Sequence, residues 1–146
     1  MTEQLKSIIN RLEHHIQLVH ETGEQDEFVI TANEICDELE IMENSLDAIE
    51  PILELVERSP DIDYGGPGPL AHFMETYYKK GYEELLLRSI ERKPTEYTLY
   101  LLHRLINDEE NPNRQSYLDL LKRISISEEY PENIIENAKD SLSYFQ

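Results

Sequence analysis

The sequence predicts an all-α fold, and three observations carry that prediction. Apolar residues recur at steps of three and four along most of the 146 positions. Strict apolar–polar alternation, the mark of a half-buried strand, is scarce. Glycine and proline gather in short clusters between the periodic stretches, where they punctuate rather than interrupt. One domain over 1–146 is the expectation at this length. A chain of this size buries enough surface for a core without disulfide or metal staples.

Each element follows from its own pattern. Leu5, Ile8, Ile9, Leu12, Ile16 and Val19 form one stripe of a helix over about 3–21, ended by Gly23. Phe28, Ala32, Ile35, Leu39, Met42, Leu46, Ile49, Leu53 and Val56 continue in alternating steps of four and three. Pro51 lacks an amide hydrogen and opposes a continuous helix, so the run divides near Asn44 and Ser45 into helices over about 25–44 and 46–58. Ser59-Pro60 closes the second. The stretch from Asp61 to Pro69 is the one extended loop. Pro69 suits a first helical turn, and a helix over about 69–80 follows, with Gly81 as a left-handed stop. A further helix begins at Tyr82 and ends before Pro94. Thr95 N-caps the next, which carries Leu99, Leu102, Leu105 and Ile106. Asn107 to Pro112 make a polar turn, Leu118, Leu121 and Ile124 mark a helix over about 113–124, and the last starts at Ser127 or Pro131. These are about eight short helices. Short connections favour antiparallel neighbours, either as stacked helical hairpins of the HEAT or TPR kind or as an irregular bundle.

Charge narrows the function classes. The formal net charge is −18. Residues 1–63 hold 17 acids against 3 bases, whereas residues 64–107 hold 5 acids and 6 bases. The acidity therefore belongs mainly to the first helices. Direct nucleic-acid binding and attachment to an anionic membrane are disfavoured, because both present phosphates to a negative surface. The opening Met-Thr-Glu-Gln-Leu-Lys lacks the basic and apolar blocks of a secretion signal, and no apolar run approaches a membrane span, so a cytoplasmic location is expected. Two readings of the acidic helices stay open: a solvated face that maintains solubility, and a docking surface for a basic protein.

Catalytic and cofactor constellations are missing from the pattern. The loop Gly65-Gly-Pro-Gly-Pro69 has no following Lys-Ser/Thr, and its prolines remove amide donors that a phosphate would need. It reads as a stiff connector or a rigid recognition loop. His14, His15 and His20 do not share a helix face in the spacing a metal requires, and the H-E-x-x-H pattern is absent. Cys36 lies among acids that raise a thiol pKa, so it is expected to be reduced and inert. No enzyme activity, metal or cofactor is expected. Seven of the nine tyrosines lie between positions 64 and 117, where they suit either the boundaries between helices or a partner interface.

One stretch carries a resemblance. Asp-Tyr-Gly-Gly-Pro-Gly-Pro-Leu-Ala-His-Phe-Met-Glu from Asp63, Gly-Tyr-Glu-Glu-Leu-Leu from Gly81, Ser-Ile-Glu-Arg-Lys-Pro-Thr from Ser89 and Leu-His-Arg-Leu-Ile-Asn from Leu102 cover about a third of the chain. Together they resemble small all-helical bacterial immunity proteins of polymorphic-toxin and contact-dependent inhibition loci. The resemblance implies an inhibitor that binds the toxic domain of a cognate toxin, and it brings no catalytic residue with it. Gly66, Pro67, Gly68, Pro69, His72, Arg92, Pro94 and Arg104 carry the motif, in service of the fold or of the target contact. Many toxic nucleases are basic because they hold nucleic acid, so an acidic face suits such a partner. The expected partner-binding residues are Glu34, Asp37, Glu38, Asp61, Asp63 and Tyr64, of which the first three share one helix face by their spacing. The alternative is a helical adaptor or scaffold for a cellular partner that is not a toxin.

Overall fold

The structure, a computed structural model, describes residues 1–145. Among them it is all-α. Eight α-helices, α1 (Glu3–Thr22), α2 (Gln25–Glu40), α3 (Ile49–Arg58), α4 (Gly68–Glu75), α5 (Tyr82–Arg92), α6 (Glu96–Ile106), α7 (Arg114–Ser125) and α8 (Glu132–Phe145), are joined by turns, with a 3-10 turn at Ser45–Ala48 before α3. The helices gather into two compact units, Met1–Ser89 and the chain from Ile90 onward, with α5 lying mostly in the first.

In the first unit α1 packs on α2, on α3 and on the 3-10 turn, and α2 packs on α4. The Thr2 side chain caps α1 by accepting the Leu5 amide hydrogen at 3.2 Å. Gly23 ends it at φ +75°, its own amide donating to the Val19 carbonyl. The apolar stripe behaves as its spacing requires: Leu5, Ile8, Leu12 and Ile16 are buried, and Ile9 and Val19 flank them half-buried. The long second stripe is divided as Pro51 demands. Helix α2 stops at Glu40, four residues short of the expected end, and Asn44 turns the chain at φ +62°. Pro51 is the third residue of α3, inside the first turn, where its missing donor leaves no helical bond unmade.

The segment after α4 corrects the sequence reading. A helix to position 80 was expected, but α4 ends at Glu75 and a series of turns runs to Gly81. Lys79 adopts φ +64° and Gly81 φ +115°, which no α-helix accommodates. The turns are held from outside the segment: Tyr77 Oη and Ser45 Oγ hydrogen-bond at 2.6 Å, and the Lys79 amide donates to Glu83 Oε1 at 2.8 Å. A single acid of the first 63 residues is buried, Glu57, whose carboxylate accepts from Ser89 Oγ at 2.7 Å.

The second unit is a packing of α6, α7 and α8 on one another. Its entry is well defined. Thr95 Oγ1 accepts from the Thr98 amide at 3.1 Å while Thr98 Oγ1 accepts from the Thr95 amide at 3.0 Å, a reciprocal cap in which threonine replaces the usual glutamate. Leu102, Ile106, Tyr117, Leu121, Ile124, Ile134 and Ala138 are buried in these three helices.

Candidate functional site

Helix α2 is built from two opposed faces. Phe28, Ala32, Ile35 and Leu39 recur at helical spacing and are buried, so the opposite side of the same helix must face water. On that side Ile30, Glu34 and Asp37, with Ile41 at the C-cap one residue past the helix, fall within a sector of about 60° at 100° per residue. All four are exposed, Ile30 at 60% and Ile41 at 87% of their surface. Glu34 and Asp37 have no ion-pair partner among the described residues. Glu38 stands on the flank of this stripe and is tied to α1, with Arg11 Nη1 2.8 Å from its Oε2. An exposed pair of this kind adds little stability but fixes where the carboxylate points. Where α2 ends, Ile41 and Met42 join Thr2, Gln4, Glu38, Glu43 and Asn44 around an open cleft of about 520 Å³.

The six sequence-predicted contact residues do not form one patch. Glu34, Asp37 and Glu38 are together on α2. Asp61 and Asp63 are exposed on the loop after α3, which is fastened to the helix ends of α1 and α2. His20 Nδ1 lies 3.7 Å from Asp61 Oδ2 and His20 Nε2 3.3 Å from Ser59 Oγ, while Gln25 Nε2 donates to the Asp63 carbonyl at 2.9 Å. Gln25 and Glu34 are half a turn apart in azimuth, so the two acidic groups sit on different sides of α2. Tyr64 is a correction. It is 3% exposed, its hydroxyl donates to the Ser59 carbonyl at 2.6 Å, and its ring meets Phe28 edge-on at 5.9 Å. Burial raises its phenol pKa, with Asp61 adding to the shift. It therefore holds the loop to the core and offers no surface to a partner.

The same holds for most of the clustered tyrosines. Tyr82, Tyr97 and Tyr117 are buried with Tyr64, and Tyr77, Tyr78 and Tyr100 are half-buried, so they line the spaces between helices. Asp63 Oδ1 accepts from the Gly65 amide at 2.9 Å, Ile62 is buried beside Tyr64 in sequence, and the Gly66–Pro67 peptide is cis. What the sequence reading missed was the pair Ile30 and Ile41. They lie off the buried stripe by half a turn, and a helical wheel of 25–41 isolates them.

Other reactive side chains are turned to structure. Burial, with Glu40 and Asp37 nearby, pushes the Cys36 thiol up to about 12, which keeps it protonated. In the second unit His103 Nδ1 and Ser141 Oγ share a hydrogen bond of 2.7 Å. The imidazole packs against the rings of Tyr144 and Phe145, at 4.9 and 4.6 Å between ring centres, and the Arg114 guanidinium lies 5.6 Å from the Phe145 ring centre. Burial lowers the His103 pKa. The unfolded chain then takes up the proton first, so the stabilisation is complete above the ordinary value of about 6.5 and is lost as pH falls below it. Unfolding followed in urea at neutral and mildly acidic pH should show this loss, and His103→Gln should shrink it. An unchanged pH response in that variant would remove His103 from the account.

Among the described residues no set of three or more His, Cys, Asp and Glu is placed to hold a metal ion, and no helix is long and apolar enough to cross a membrane. Comparisons with protein-family models, with curated proteins and with solved structures return no match.

Proposed function

We propose that this chain is an immunity-type inhibitor that neutralises a cognate bacterial toxin domain by direct binding through its acidic surface. One observation carries the reading. Of the 17 acids in residues 1–63, Glu57 is buried and Glu13 and Glu50 are half-buried, and the other fourteen are exposed on folded helices and their connecting turns. A rigid surface of this charge attracts a basic protein from a distance, orients it and repels acidic competitors. The resemblance of the stretch around Asp61 to Asn107 to immunity proteins supplies the kind of partner.

The test is co-expression of the full chain with the C-terminal domain encoded by the adjacent gene. The expected result is cell survival together with a complex that co-purifies and whose association slows steeply as salt is added. Survival without a physical complex, or association indifferent to salt, would overturn neutralisation by an acidic surface. A complex with a harmless cellular protein in place of a toxin would favour the adaptor reading.

A further inference from the structure

We propose that the outward stripe of α2, Ile30–Glu34–Asp37–Ile41, with the cleft at its end, is the docking surface for a cationic amphipathic segment of the partner protein, one whose basic residues lie between two aliphatic anchors. This rests on the reading of the partner as a basic protein and specifies the face and the chemistry that receive it.

The stripe has a definite order. Ile30 and Ile41 are separated by three helical turns, about 16 Å, and the two carboxylates lie between them on the same azimuth. Single exposed aliphatic residues are common on protein surfaces. Two of them in line, at opposite ends of a carboxylate pair, make a complementary pattern for a segment with apolar ends and a positive middle. Desolvating the isoleucines drives association, while Glu34 and Asp37, free of ion-pair partners among the described residues, keep their charge for the incoming cations. The cleft extends the surface at the Ile41 end. Met42 gives it an adaptable apolar wall and Glu38 and Glu43 an acidic rim, so an aliphatic side chain enters with a cation at the edge. A second copy of this chain is a poor occupant. Stripe against stripe would place Glu34 and Asp37 against their own counterparts in a molecule of charge −18. Anionic lipid and nucleic acid are repelled for the same reason.

The experiment uses the full chain and two synthetic helical peptides of equal charge. In one, two leucines three turns apart flank a block of lysine and arginine; in the other the leucines are replaced by serine. Fluorescence anisotropy should show the first peptide binding at least about tenfold more tightly than the second. Ile30→Ser with Ile41→Ser should abolish that advantage. Glu34→Gln with Asp37→Asn should weaken the first peptide at least about tenfold and flatten its salt dependence. Glu128→Gln with Glu129→Gln, exposed acids of the second unit, should change nothing. Thermal melts check that each variant is folded, which its exposed positions favour. Equal binding of the two peptides, or binding untouched by the α2 substitutions in folded protein, overturns the assignment. The two readings fail separately. A toxin complex that survives all the α2 substitutions sinks the docking surface alone, whereas selective peptide capture on α2 without any toxin complex sinks the inhibitor reading alone.

Discussion

Phe28→Ala is expected to lower the unfolding free energy of the first unit by about 3–5 kcal/mol, the range for removing a fully buried aromatic ring. The ring is 2% exposed and meets Tyr64 edge-on at 5.9 Å, so its loss leaves a cavity and also strips the loop after α3 of its anchor. Two control variants separate these effects. Phe28→Leu keeps much of the volume and should cost no more than about 1.5 kcal/mol. Tyr64→Phe keeps the ring contact but leaves the Ser59 carbonyl without the hydroxyl that bonds it at 2.6 Å, for about 1 kcal/mol. Urea unfolding of the three variants, followed by far-ultraviolet circular dichroism, gives the order directly. A Phe28→Ala loss under about 1 kcal/mol would mean that α2 is not held by this contact. The outward stripe of α2 would then lack a fixed base.

Gly65→Ala is expected to be nearly as damaging, for a backbone reason. Gly65 sits at φ +104°, and a Cβ placed there would lie 2.5 Å from Gly68 Cα and 2.9 Å from the Gly68 nitrogen. These are backbone atoms of the same tight loop, with no flexible end that swings away. The strain of the left-handed region alone is about 1–2 kcal/mol, and the overlap adds to it, so a loss above about 2 kcal/mol is expected. Gly68→Ala is the matched comparison. Gly68 also has positive φ, +82°, but nothing lies within 4 Å of its Cβ position, so that variant should show the strain alone. Equal denaturation midpoints for the two variants would deny the close approach. In the co-expression test of the proposed inhibitor, Gly65→Ala should act through instability rather than through a lost contact, since Gly65 lies in the loop after α3 and outside the α2 stripe.

Most of the helices, and the breaks at Gly23 and around Pro51, were legible in the chain because they depend on neighbours. Three- and four-residue spacing puts Leu5, Ile8, Leu12 and Ile16 on one side of α1 whatever surrounds it, and a proline at position 51 has no amide hydrogen to donate in any fold. The left-handed turn at Asn44 and the cap at Thr95 are likewise local. The all-α class and the concentration of charge in the first helices needed nothing more. Tertiary structure alone decided which of the expected contact residues face water. Tyr64 is inside because Phe28, 36 positions away, closes over it, and the Glu38 carboxylate is tied to Arg11 on another helix. It also stopped α4 at Glu75, where Ser45 reaches Tyr77 across the unit. Periodicity says that a helix has two faces; only the packing of α2 on α1 and α4 settles that Ile30, Glu34, Asp37 and Ile41 are left on the outer one. Local chemistry acts within a turn or two of the chain, whereas burial is set by residues that meet only after folding.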